Sequence, residues 1–292
     1  FDGGGRSDPG SCHSHFPKEG RGAGVVGVMQ YWSISGISPY GRVADLQKQL
    51  VELRAAEAIP DTVLFLEHEP VVTRGRGLQW TGVARERHVE VPTLPASIAF
   101  AESERGGDLT YHGPGQLVFY PIVKLDGSGF GPLRDVATLL RKVEQIVLDE
   151  LGTLGVFAES RQDATGVWVG AHKIASLGIA VRKWVSFHGV ALNVVNDLSP
   201  FLLFQPCGYR GEVMTRLKDL LPERPEGLQD WSDWRSWLEA RLVPRFSNGV
   251  LESMTLSDAE KRLEALSGRP CSLESRIVPS GFASGPPPSK FP

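Results

Sequence analysis

The chain is poor in cysteine, in long apolar runs and in net charge, and each scarcity argues against a class of protein. Its three cysteines, Cys12, Cys207 and Cys271, are odd in number and far apart. Two of them lie in low-complexity ends, so a disulfide framework is not expected. No apolar stretch approaches the ~18–20 residues that span a bilayer, and the start lacks a charged segment followed by an apolar run and a cleavage site. A soluble chain is therefore expected, in the cytoplasm or, in a eukaryote, an organelle matrix. With 31 Lys+Arg against 34 Asp+Glu, the formal net charge is only -3. Such a balance supplies no global field to hold nucleic acid, so recognition of a charged partner must come from a local patch. The Gly-x-x-x-x-Gly-Lys-Ser/Thr cradle for nucleotide phosphates is also missing.

What is present is material for one generous core or two small ones: 292 residues, 41% hydrophobic and 22% charged. The ends differ from the middle. Residues 1–27 are rich in Gly, Ser and His, and the stretch after about Arg269 runs into Pro, Ser and Gly. Both read as disordered tails. Cys12, His13 and His15 fall in the first of these with no fourth ligand nearby, so they are not read as a metal site. The expected organisation is a tail over 1–27, one catalytic domain with a helical C-terminal part over 28–246, and a mostly disordered extension over 247–292.

Between the tails, helix and strand patterns mix. Val43, Leu46, Leu50 and Leu53 recur at helical spacing, Pro60 closes that helix, and Thr62–Glu67 is an apolar strand. Leu117–Val123 is a second strand. Pro132 is expected to open a long helix whose stripe is Val136, Leu139, Leu140, Val143, Ile146, Val147 and Leu151. Short strands follow around Gly166–Val169, Ile174–Val181 and Val190–Val194, then a helical region near Trp231–Leu242. Its tryptophans 231, 234 and 237 are spaced to bury one helix face, not to form an aromatic cage. The fold class is α+β, a mixed α/β arrangement.

Three segments concentrate chemistry. In Arg105-Gly-Gly-Asp-Leu-Thr-Tyr-His-Gly-Pro-Gly-Gln116, paired glycines let backbone approach a ligand while Arg105, Tyr111 and His112 surround that approach with polar groups. In Gly166-Val-Trp-Val-Gly-Ala-His-Lys-Ile-Ala-Ser-Leu-Gly178, Lys173 sits between strand-like stretches. A lysine among apolar neighbours loses hydration and becomes useful for proton transfer, although most lysines are merely exposed. In Phe204-Gln-Pro-Cys-Gly-Tyr-Arg-Gly211, the turn holding Cys207 suits either a reactive thiol or an inert buried one.

These three segments, with Phe187-His-Gly-Val-Ala-Leu-Asn193, resemble in order the lipoyl(octanoyl) transferase family, related to biotin and lipoate protein ligases, over about residues 30–226. The resemblance implies a ligase-like catalytic domain with a mixed sheet flanked by helices. It also implies a Cys207 acyl-thioester and Lys173 as its acid/base partner. By the same resemblance, Arg105, Gly106, Gly107, Asp108, Leu109, Thr110, Tyr111 and His112, with Ser176, Leu177, Gly178, His188, Gly189 and Val190, line the acyl pocket. Val190 departs from the bulkier residue expected there. The implied donor is octanoyl-acyl carrier protein. Lipoyl domains of 2-oxo acid dehydrogenase complexes and the glycine cleavage H protein are the implied acceptors, with no cofactor or metal, no nucleic acid or membrane partner, and a monomeric state. Thr73-Arg-Gly-Arg-Gly77 is faintly similar to the Gly/Arg loop of the adenylating ligases, the rival reading.

Overall fold

Three apolar runs become the middle of the structure because both of their faces are covered. In the computed structural model, which describes residues 29–77, 93–161, 164–205, 210–221, 223 and 225–267, these are β2 (Thr62–His68), β6 (Gln116–Ile122) and β10 (Val185–Asn193), buried along their whole lengths. They belong to an eight-stranded mixed sheet that also contains β1 (Gln30–Ser38), β7 (Glu159–Ser160), β8 (Val167–Val169), β9 (His172–Arg182) and β11 (Leu251–Thr255). Its order is β11-β1-β2-β6-β10-β9-β8-β7. β1 runs parallel to β2 and β11, while β2–β6, β6–β10, β9–β10, β8–β9 and β7–β8 pair antiparallel. A smaller sheet, β3 (Val71–Arg74) between β4 (Ala99–Glu102) and β5 (Leu109–His112), stands beside it.

Strand alternation sorts the core into two layers. Val63, Phe65, Leu117 and Phe119 pack toward α2 (Val136–Thr153) and α4 (Trp231–Phe246), with Val143, Ile146, Val147, Leu238 and Leu242, and the one-turn helix α3 (Leu217–Leu220) adds Leu217 to the same layer. Their neighbours Leu64, Leu66, Val118 and Tyr120 face the opposite side, where α1 (Tyr40–Ala55) supplies Val43, Leu46 and Leu50. The expected lead of the long helix by Pro132 is corrected: α2 starts at Val136, because Asp135 is its cap and accepts from Thr138 N at 2.9 Å. Of the three spaced tryptophans, Trp234 is buried in the α2–α4 layer, and Trp231 and Trp237 pack against it partly buried.

Beyond residue 246, where the sequence reading placed its boundary, β11 adds a strand to the sheet edge. Helix α5 (Leu256–Ser267) follows it and buries Leu256, Ala259 and Leu263 against α1. Residues 1–27, read as a tail, and 268–292 lie outside the described residues.

Candidate active site

Register explains how a cleft opens in so well filled a sheet. On β9 and β10, Ser176 lies opposite Ala191 and Gly178 opposite Gly189. Directly opposed residues of an antiparallel pair share a face, so four small side chains meet there and leave space above them. Gly178 is small for a second reason: a Cβ on it would come within 2.8 Å of the Gly106 carbonyl oxygen and 3.1 Å of Arg105 Cδ. The resulting cleft is narrow, with a water-accessible volume of about 30 Å³. Ser176, Leu177, Gly178, His188, Gly189, Val190 and Ala191 line it from β9 and β10, Arg105, Gly107, Thr110 and His112 from the opposite wall, and Tyr40, Tyr120 and Lys173 complete it.

The opposite wall is held by backbone. The Gly106 N–H donates to Ile179 O at 3.3 Å, and the chain following β3 runs along the loop through Gly75 N to Asp108 O, Arg76 N to Arg105 O and Gly77 N to Gly107 O, at 3.0–3.1 Å. The Gly/Arg stretch Thr73–Gly77 is thus a brace for the neighbouring loop. Arg105 is buried and spends its guanidinium on that loop, donating to Thr73 O at 2.7 Å, Asp108 O at 2.8 Å and Gly106 O at 3.0 Å.

Not all of the expected pocket residues reach the cleft. Among the described residues, Gly106, Asp108, Leu109 and Tyr111 do not line it. Leu109 and Tyr111 instead pack with Val72, Phe201, Phe204 and Met214 under the small sheet, because β5 alternates and sends only Thr110 and His112 to the cleft. Thr110 is buried, and its Oγ1 has no hydrogen-bond partner among the described residues.

Lys173 is 4% exposed, with Nζ 5.6 Å from the centre of the Trp168 ring. Its carbonyl accepts from Thr215 N at 2.9 Å, and Met214 forms an isolated parallel bridge with it. The segment that follows Pro206–Cys207–Gly208 in sequence is therefore fastened to the backbone of Lys173. Cys207 itself lies outside the described residues.

The motifs named His112 and His188 but not Tyr40, His68 and Tyr120, which join them in a polar cluster at the cleft. Gln116 Nε2 donates to Tyr111 O and Asn193 Oδ1, so its Oε1 accepts the Nδ1 proton of His112 at 2.9 Å. His68 Nδ1 donates to Ser38 O at 3.1 Å, which leaves its Nε2 to accept from Tyr120 OH at 2.9 Å. Tyr40 stacks on His112 and donates to Ser103 Oγ at 2.8 Å. His188 has a left-handed backbone, φ 58°, and its N–H donates to Gln47 Oε1 at 2.7 Å. A non-glycine residue holds that conformation at a cost of about 1 kcal/mol or more, as is common in functional sites.

Burial keeps these imidazoles neutral. It pushes His68 down to about 4 and His188 to about 3, with nearby Arg105 and His68 adding to the fall of His188. His112 is held well below its ordinary value by burial and by His68. Because the folded values lie below the ~6.5 of a free imidazole, the unfolded chain binds protons that the native one refuses as pH drops. Stability should thus be unaffected by these groups above pH ~6.5 and fall steadily below it. At a slope that approaches roughly 1.4 kcal/mol per unit and group, His68 and His188 together remove about 3 kcal/mol between pH 6.5 and 5. Denaturant midpoints across that range check this, and a flat profile would contradict the buried neutral cluster.

Residues 39–231 match the family described as lipoyl protein ligase A/B catalytic domain. An octanoyltransferase of Chromohalobacter salexigens is 42% identical over 190 residues, 65% of this chain and 80% of that protein. One from Gloeobacter violaceus is 45% identical over 174 residues, 59% and 73% of the two chains. Among solved structures, the putative lipoate protein ligase Ta0514 of T. acidophilum with bound lipoic acid superposes with a TM-score of 0.57 at 16% identity, covering 82% of this chain and 95% of that one. That likeness speaks for the fold alone. The chain belongs to the lipoyl protein ligase A/B catalytic-domain family and, at this identity to the octanoyltransferases, is an acyltransferase.

Proposed function

We propose that the cleft binds a medium-length acyl thioester and that the protein carries an octanoyl group from octanoyl-acyl carrier protein, through a thioester on Cys207, to a lysine of a lipoyl domain. The observation that carries this reading is Lys173. It is a buried amine at a cleft floored by small residues, with its backbone tied to the segment that follows Cys207 in sequence. Its ammonium stabilises the Cys207 thiolate, which attacks the donor thioester. The departing pantetheine sulfur takes the proton from Lys173, leaving the amine neutral. An acceptor lysine then attacks the enzyme thioester and gives its proton to Lys173 as the amide forms and the Cys207 thiolate is released. Atoms and protons balance, and the cycle closes on its starting ion pair.

The Thr110 hydroxyl, buried at the cleft without a partner among the described residues, is available to a ligand carbonyl. The remaining cleft residues, from Ser176 to Gly178 and His188 to Val190, surround the acyl chain. The acceptors in this reading are lipoyl domains of 2-oxo acid dehydrogenase complexes and the glycine cleavage H protein, met by a monomer in the cytoplasm or an organelle matrix. Among the described residues no helix is long and apolar enough to cross a membrane.

A second reading, adenylation of a free acid, is kept alive by the fold shared with a lipoate-protein ligase A bound with ATP, TM-score 0.58 at 16% identity. The deciding experiment gives purified protein octanoyl-acyl carrier protein and a lipoyl domain without nucleotide. Transfer is expected. Strict dependence on ATP would establish the ligase, and a lack of any acyl adduct by intact mass would establish a binding module without chemistry.

A further inference from the structure

The site's mechanism makes no use of Glu144, yet this side chain is 1% exposed in the middle of α2, where an unpaired carboxylate is costly. One oxygen accepts from the Gly166 N–H at 3.1 Å, and the other pairs with Arg141. Gly166 has φ 135°, a conformation reserved for glycine. A Cβ there would overlap Lys173 Cε, and it would sit 3.0 Å from Lys173 Nζ and 2.7 Å from Ala175 O. The lysine side chain thus runs through the gap left by the missing Cβ, between Gly166 and the ring of Trp168. The peptide that forms one wall of this passage is pinned by Glu144.

We propose that Glu144 is a positioning residue for Lys173: it fixes the Gly166 peptide that leaves the passage open for the lysine side chain. The inference rests on the assignment of Lys173 as the proton carrier. Among the described residues, few charged groups surround the pair. Arg141 faces the carboxylate from its own helix. From the β7–β8 side, Arg161, paired with Glu159, lies over the Trp168 ring at 4.3 Å, and from β9 comes Lys173 itself. Burial raises the Glu144 carboxyl, while the Gly166 N–H, Arg141 and Lys173 all act in the opposite direction.

The test uses full-length octanoyl-enzyme, formed with octanoyl-acyl carrier protein, and follows single-turnover transfer to a lipoyl domain. Glu144→Gln keeps an acceptor for the Gly166 N–H and is expected to transfer at close to the wild-type rate. Glu144→Leu removes the acceptor and is expected to slow transfer at least about tenfold. A wild-type rate in the Leu variant, or an equal loss in the Gln and Leu variants, overturns the proposal. Gly166→Ala puts a methyl in the passage. It is expected to slow transfer at least about tenfold, and an unchanged rate overturns the passage even if Glu144→Leu fails to fold. Failure of the wild type to form an adduct would remove the assigned reaction and this inference with it. A wild-type adduct with Glu144→Leu and Gly166→Ala both unaffected removes the inference alone.

Discussion

Lys173→Ala is expected to lower octanoyl transfer by about 10²–10⁴-fold, the range typical for removal of a positioned proton carrier. The expectation follows from how the side chain is held. Its stem is buried between Gly166 and Trp168, and its carbonyl is bound by Thr215 N. The ammonium therefore cannot be replaced by a mobile surface lysine. Both halves of the proposed cycle use it, first as the cation beside a thiolate and then as the base that takes the acceptor's proton. Truncating a buried stem also leaves a void, so Lys173→Met, which refills the passage without charge, separates packing from chemistry. The two variants should be equally slow, with the Met protein closer to wild type in thermal midpoint. Turnover near wild type in either would remove Lys173 from the mechanism.

How much of this was readable in advance depended on whether the signal was continuous along the chain. The central strands announced themselves because burial on both faces leaves no polar interruption: Thr62–Glu67 and Leu117–Val123 appear as unbroken apolar runs and became β2 and β6. The stripe of α2 was equally plain, whereas its first turn was misplaced because Pro132 is a competent helix opener and the true cap, Asp135, lies three residues on. Strand β11 and helix α5 were missed for a different reason. β11 is an edge strand with only partial burial, and α5 offers just Leu256, Ala259 and Leu263 to the core, a pattern too thin to stand out beside a Pro/Gly-rich end.

The site divides along the same line. Motif segments led to Lys173, Thr110, His112 and the small residues of β9 and β10, and the structure gathers these at one cleft. Reading a motif as contiguous, however, gave Leu109 and Tyr111 the same role as Thr110 and His112. A strand of period two cannot satisfy that, and the odd pair went to the small-sheet core. Tyr40, His68, Tyr120 and Glu144 lie in segments with no glycine-rich signature. They matter through side-chain partners 52 to 63 residues away, as in His68–Tyr120 and Tyr40–Ser103, or through a peptide 22 residues away, as in Glu144–Gly166. Such contacts leave no spacing to detect. Only the unusual burial of a charged or titratable group, visible once the fold is in hand, singles them out.

Cys207→Ala is expected to abolish the octanoyl adduct and reduce transfer to the uncatalysed background. The assignment makes a demanding claim, since the chain has two other thiols, Cys12 and Cys271. In sequence neither adjoins a motif segment of the cleft, whereas Cys207 is followed within eight residues by Thr215, bonded to Lys173 O. Replacing Cys12 and Cys271 together by Ser should accordingly leave both the adduct and its rate of formation unchanged. The linkage is equally specific. A thioester is cleaved by neutral hydroxylamine, but an octanoyl amide on Lys173 is not, so the mass increment should disappear on that treatment. Cys207→Ser sharpens the comparison, because a hydroxyl ionises far less readily than a thiol and the Lys173 ammonium alone does not make it an alkoxide. Its adduct should form slowly or not at all. An increment that survives Cys207→Ala and resists hydroxylamine would place the acyl group on an amine and overturn the thiol mechanism while leaving the cleft as the acyl site.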